Sequence, residues 1–300
     1  MKRSSEIQIR DPFIVPLESE NRYYLFGTTD DDPWDPPAVG FEAYRSRDLE
    51  VWEGPFRVFT PPADFWADRN FWAPEVHRIG ERWVMFASFK SADRRRGTQI
   101  LSAPEILGPY EPVSAAPATP EEWECLDGTY WNDGERSWMI FCHEWVQTGN
   151  GSIRAMPLRE DLSGPAGPPL LLFRAADAPW AEALPILGSA GNQNFVTDGP
   201  YLLRHGEVLL MIWSSFVRGR YAIGMAASAS GTVEGPWEHA PLPLYDEDGG
   251  HGMIFRDFAG QFRLAIHTPN DTPRERPIFP YLDMRHDWPV LRRASVKEYA

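Results

Sequence analysis

The chain has 300 residues and a formal net charge of −14, with a sequence pI near 5.0, which argues against a nucleic-acid or anionic-membrane partner whose phosphates it would repel. It is 43% hydrophobic with 13 Trp, ample for a sizeable core, and no apolar run approaches the ~20 residues of a membrane span. The N-terminus MKRSSEIQIRDPF carries basic residues but no apolar h-region, so no signal peptide is visible and the sequence as written is expected in the cytoplasm, with secretion the alternative if a leader has been trimmed.

In chain order, Asp11–Val15, Tyr23–Thr29 and Glu42–Ser46 read as short strands rich in aromatic and β-branched residues, with Trp52 on an outer fourth. A second unit opens at Phe71–Val76, turns at Gly80-Glu81 into Trp83–Phe89, and continues through Thr98–Ala103 to Gly108-Pro109-Tyr110. The third is the clearest hairpin. Thr129–Trp131 and Ser137–Phe141 flank Asn132-Asp133-Gly134, a strong turn signal, and Ser152–Met156 and Asp161–Pro165 follow. If Asp133-Gly134 is a two-residue loop, Cys125 and Cys142 become cross-strand partners; two reduced, packed thiols are expected, a disulfide being the alternative. Val196–Leu203, Val208–Ser215, Tyr221–Ala227 and Gly235-Pro236-Trp237 make a fourth unit, and Gly249–Phe255 with Phe262–His267 opens a fifth whose later strands are undefined. Leu170–Asn194 is the longest irregular stretch, with a short helix expected at Ala175–Trp180.

Repeats of about 45–60 residues, each of three or four short strands, are the signature of a β-propeller. The expectation is an all-β, single-domain, five-bladed propeller with blades over roughly 10–60, 70–117, 125–170, 196–245 and 249–290. Aligned by blade, the innermost strands begin with Asp11, Glu75, Asp127, Asp198 and His251. Such a ring of like charge raises some carboxyl pKa values, which lets one site hold an acid and a base. Folding the third hairpin brings Glu144 to the rim of Asp127. Trp34, Phe41, Trp66, Trp72, Trp131 and Trp145 offer aromatic faces suited to the C–H faces of a sugar, about half of them being expected in blade packing.

Across essentially its whole length the sequence resembles a family 43 glycoside hydrolase, on Arg10-Asp11-Pro12-Phe13, Trp72-Ala73-Pro74-Glu75-Val76, Leu126-Asp127-Gly128, Thr197-Asp198-Gly199-Pro200 and Gly249-Gly250-His251-Gly252. It is most similar to a branch acting on furanosides. The resemblance implies an inverting mechanism, with acid and base carboxyls about 6.5–9.5 Å apart, in which Asp11 is the general base and Asp127 tunes the acid and orients the sugar. The family's general acid is a Glu before Gly-Pro in blade four, where this chain has Asp198, one methylene shorter. Either Asp198 serves or Glu144 supplies the proton, with Glu144 slightly preferred for its setting between His143 and Trp145. Phe41, Trp72, Glu75, Trp131, Trp145, His251 and Arg276 are the candidate substrate-binding residues, Arg276 as a charge partner for Asp127. The resemblance also places a structural calcium ion in the channel at His251, with no cofactor required for hydrolysis. The expected activity is exo-hydrolysis of terminal α-L-arabinofuranose or β-D-galactofuranose from plant or microbial oligo- or polysaccharides. β-Xylosidase or endo-arabinanase activity, or a non-hydrolytic carbohydrate-binding propeller, are the alternatives.

Overall fold

A computed structural model of the chain describes residues 1–35, 37–185 and 193–292. It is a five-bladed β-propeller. Blade one consists of Arg10–Leu17, Arg22–Thr28, Phe41–Ser46 and Val51–Phe59, with Lys2–Arg3 added on its outer edge. Blade two is Arg69–Ile79, Arg82–Lys90, Gly97–Ala103 and Glu111–Pro112; blade three is Cys125–Asn132, Ser137–His143, Ser152–Leu158 and Leu170–Arg174. Blade four is Asp198–His205, Val208–Val217, Arg220–Ser228 and Trp237–His239, and blade five is Gly250–Arg256, Phe262–Thr268 and Arg276–Ile278. Blade three therefore takes its outer strand from Leu170–Arg174, not from Asp161–Pro165. The helix expected at Ala175–Trp180 is a single 3-10 turn, Ala175–Asp177, and part of the stretch read as irregular, 186–192, lies outside the described residues. Among the described residues no helix is long and apolar enough to cross a membrane.

Apolar clusters fill the gaps between blades, which explains why the middle strands are apolar on both faces rather than alternating. Met139 and Phe141 pack with Phe86 and Ile100 of blade two, while Ile140 and Cys142, pointing the other way, pack with Leu209, Met211 and Trp213 of blade four. Phe41 belongs to such a cluster. It is fully buried, within 6.1 Å of the rings of Phe59, Phe71 and Phe89, so it is a core residue and not a sugar platform.

The third hairpin corrects the cysteine register, while the expected reduced, packed thiols are found. Asn132 pairs with Ser137, so the loop spans four residues. Asp133 shapes it: Oδ1 accepts the N–H groups of Glu135 and Arg136, and Oδ2 accepts the Trp138 indole N–H at 2.7 Å. With the bulge further down the strand, Cys125 lies opposite His143 and Leu126 opposite Cys142. Both thiols are free and buried.

If Phe41 is core, truncation removes packing and not substrate binding. Phe41→Ala is expected to cost about 3–5 kcal/mol of stability, read by denaturant unfolding, with KM unchanged under conditions where the variant remains folded. A raised KM without loss of stability would return Phe41 to the site.

Candidate active site

Each innermost strand breaks register with its neighbour near its entry: between Arg10 and Phe13, Trp72 and Glu75 (after a first break between Arg69 and Trp72), Leu126 and Thr129, Asp198 and Tyr201, and Gly250 and Gly252. One residue in each break has a left-handed backbone: Asp11 (φ 55°), Ala73 (48°), Asp127 (55°), Gly199 (50°) and His251 (39°). Every one is followed by Pro or Gly. A bulge inserts an unpaired residue and re-aims its side chain, and here Asp11, Asp127 and His251 are aimed into one cavity of about 740 Å³. The blade-equivalent residues are thus Asp11, Ala73, Asp127, Gly199 and His251. Glu75 stands two residues further along its strand and Asp198 one residue earlier, so the alignment of first carboxylates by sequence was offset in blades two and four.

His251 lies between two carboxylates, its Nδ1 3.3 Å from Asp11 Oδ1 and 3.4 Å from Asp127 Oδ2. Gly199 makes room for it: a Cβ there would sit 2.5 Å from the His251 ring. Asp11 also accepts the Thr28 hydroxyl at 2.6 Å, and its N–H donates to His267 Nδ1 at 3.1 Å, which fixes His267 as a neutral ring. Burial pushes the Asp11 carboxyl up, but His251, Arg10 and the Thr28 hydroxyl outweigh it and hold the pKa below the ordinary value. Asp11 is therefore ionised at neutral pH, the state a general base needs.

Asp198 has the opposite environment. Burial, then the negative charge of Asp127, raise it to about 7 against the pull of His251 and of the Tyr221 hydroxyl, which donates to Oδ2 at 2.9 Å. Asp127 is raised well above its usual range by burial and by Asp11. Glu144 is also buried and raised, burial being opposed by Arg96. Arg96 forms an ion pair with Glu144 Oε2, stacks 4.1 Å from the Trp72 ring centroid and donates to Asn70 Oδ1 at 3.3 Å. A carboxyl bound to a permanent cation is a poor proton donor, because protonation would leave the buried guanidinium without its counter-charge.

The cavity gathers Asp11, Asp127, Glu144, Asp198, Trp34, Trp72, Trp145 and His251, and adds Arg10, Arg96 and Tyr221. The other candidates lie elsewhere. Glu75 is buried 3.4 Å from His77, below the cavity, where it adds to the negative field on Asp127. Trp131 sits at the opposite end of its strand under Arg204. Arg276 bonds main-chain carbonyls of Ser5, Pro273 and Glu275. The cation beside Asp11 is Arg10, held by Glu275 and Asn270 at 2.7 Å each. Its place beside Asp11 in the sequence was the available signal; Tyr221, at the start of a third strand, offered none. Nor do the residues fit the calcium expected at His251: among the described residues no group of three or more His, Cys, Asp or Glu side chains is arranged to hold a metal, and calcium favours six to eight oxygen ligands.

A propeller that gathers in one cavity a carboxyl of lowered pKa and others of raised pKa beside aromatic walls is built for glycoside hydrolysis. The chain belongs to the glycosyl hydrolases family 43, whose model matches residues 5–278; its members hydrolyse glycosides with inversion. No curated protein matches the chain. Among solved structures, an endo-arabinase from Bacteroides thetaiotaomicron VPI-5482 is 38% identical, with 92% of this chain and 95% of that one covered at a TM-score of 0.84. An α-L-arabinofuranosidase from Lactobacillus brevis (15% identity, 95% and 93% covered, TM-score 0.74) and an endo-1,4-β-xylanase from B. thetaiotaomicron (19%, 98% and 97%, 0.74) share the fold.

The Tyr221 hydroxyl stabilises ionised Asp198, so Tyr221→Phe should raise the pKa of Asp198 above its wild-type value of about 7. Carboxyl ¹³C shifts followed across neutral pH would show the displacement, and a downward shift would contradict the assignment.

Proposed function

We propose that the chain is an exo-acting furanosidase that removes terminal α-L-arabinofuranose, or β-D-galactofuranose, with Asp11 as base and Asp198 as acid. The observation that carries the reading is that one cavity holds these two carboxyls in unlike surroundings, which lower the pKa of Asp11 and raise that of Asp198 to about 7. Asp11 would take the proton of the attacking water while Asp198 protonates the departing oxygen, and Asp127 would hold the sugar and keep the acid protonated by its field. Glu144, bound to Arg96, would contact sugar hydroxyls and anchor the blade-two wall.

Exo action is supported by the rim. The blade-one loop donates the Trp34 indole N–H to Thr272 of blade five at 3.2 Å, and Pro33 of the same loop accepts the Trp72 indole N–H at 2.7 Å. That loop walls the side between blades five and two, where a long polymer would need an open exit. Endo-arabinanase action is the second reading, favoured by the 38% identical endo-arabinase.

Linear arabinan, arabino-oligosaccharides and p-nitrophenyl furanosides separate these readings. Exo action should yield monosaccharide as the sole early product, in the inverted anomeric form by ¹H NMR; a ladder of oligosaccharides would establish endo cleavage. Asp11→Ala should lose about 10²–10⁴-fold in kcat. Asp198→Asn should lose a comparable factor on natural linkages and far less on a dinitrophenyl glycoside, whose leaving group needs no proton. In the wild type kcat/KM should fall as pH rises through about 7, where Asp198 loses its proton. If Glu144→Gln proves the more damaged variant and retains activity only on the dinitrophenyl substrate, the acid is Glu144.

A further inference from the structure

The left-handed residue of each blade has its backbone N–H taken by a side chain, and in four of the five junctions that side chain comes from one register position. Ala73 N–H donates to Thr28 Oγ1 at 2.8 Å, Asp127 N–H to Ser88 Oγ at 2.8 Å, His251 N–H to Ser214 Oγ at 2.8 Å, and Asp11 N–H to His267 Nδ1 at 3.1 Å. Thr28, Ser88, Ser214 and His267 pair respectively with Arg10, Trp72, Asp198 and Gly250, each the residue before the left-handed one on the preceding blade. In blade three the same position, opposite Leu126, is Cys142. There the pattern breaks: Gly199 N–H donates to Asp127 Oδ2 at 3.0 Å.

We propose that Cys142 is a positioning residue for Asp127: a thiol at the one junction where a hydroxyl or imidazole would capture the Gly199 N–H leaves that donor to the Asp127 carboxylate. Sulfur is a weak acceptor compared with a hydroxyl oxygen or ring nitrogen. The backbone amide instead bonds a carboxyl oxygen, a better acceptor than sulfur, at 3.0 Å. It fixes the oxygen that also faces His251 Nδ1, so Asp127 is pinned between a main-chain donor and a ring. The carboxyl is surrounded by Asp11, Asp198, Glu75, Glu144, His251, Tyr221 and the Cys142 thiol. Among these acidic neighbours a fixed N–H donor is what orients it. Cys142 itself is fully buried, and burial with the nearby Asp127 charge keeps it an uncharged thiol.

The inference rests on Asp127 acting in hydrolysis as proposed above, and its test includes a readout that does not. The Gly199 amide proton should resonate far downfield in the wild type and move upfield in Asp127→Asn. Cys142→Ser, or Cys142→Thr should the first fail to fold, supplies the hydroxyl present at the other junctions and should displace the Gly199 resonance in the same way. Its kcat should fall about fivefold below that of Cys142→Ala, the scale of one net hydrogen bond, with KM unchanged. In an Asp127→Asn background the Ser and Ala variants should not differ, since the hydroxyl acts through Asp127. A Gly199 resonance identical in wild type and Cys142→Ser overturns the proposal, as does an equal loss in the Ser and Ala variants. If no glycoside is turned over, the functional reading fails while the amide resonance still decides the positioning.

Discussion

The bulge at the entry of each innermost strand is the constraint on which the site depends. A left-handed backbone costs a non-glycine residue about 1–2 kcal/mol, and four of the five positions carry side chains that incur it. The strain persists because each N–H is captured by a neighbouring side chain, across blades in every case, so ring closure and site geometry are one set of hydrogen bonds. Without the bulge, period-two alternation would send Asp11 and Asp127 toward the apolar gaps between blades. With it, both carboxylates reach His251 at about the same distance.

Opposed protonation in a single cavity then follows from unlike surroundings. Asp11 has a guanidinium, an imidazole and a hydroxyl on its side; Asp198 feels the same imidazole and a phenol, but no guanidinium offsets its burial and the Asp127 carboxyl. Chemically identical groups are pushed apart by what they face, the same logic that divides roles between paired carboxyls in other glycosidases. Glu144 shows the contrast. It is as buried as Asp127, yet the Arg96 guanidinium pairs with it and opposes the rise that burial causes, and Trp72 holds Arg96.

Much of this was legible in the sequence. The recurring aromatic strands and turns gave the propeller, and Asp11, Asp127 and His251 were placed by aligning the strand starts and by the motifs around them; the bulge itself was written there as a polar residue followed by Pro or Gly. The same signal was present at Ala73-Pro74 and Gly199-Pro200, but a search for carboxylates passes over alanine and glycine and settles on Glu75 and Asp198 beside them. Cysteine register failed for a related reason, since a four-residue loop and a bulge both shift pairing and neither is fixed by Asp-Gly alone. Phe41 and Trp131 show that aromatic composition does not separate core from rim; strand end and facing blade decide that. Arg10 was adjacent to Asp11 in the motif, whereas Arg276 was chosen from a loop whose path no local pattern determines.

The fivefold ring becomes an asymmetric site through its small members. Ala73 and Gly199 occupy the two positions flanking Asp127, so blades two and four present backbone where blades one, three and five present functional groups. At Gly199 the missing side chain admits the His251 ring, and the exposed N–H reaches Asp127. Asp198, one residue earlier, is displaced from the ring and meets Tyr221 instead of His251's bridging nitrogen. A Glu in its place would add reach at the cost of a freer side chain; in this chain the shorter acid is held by the strand and by one phenol, and its position is set by the backbone rather than by rotamer choice.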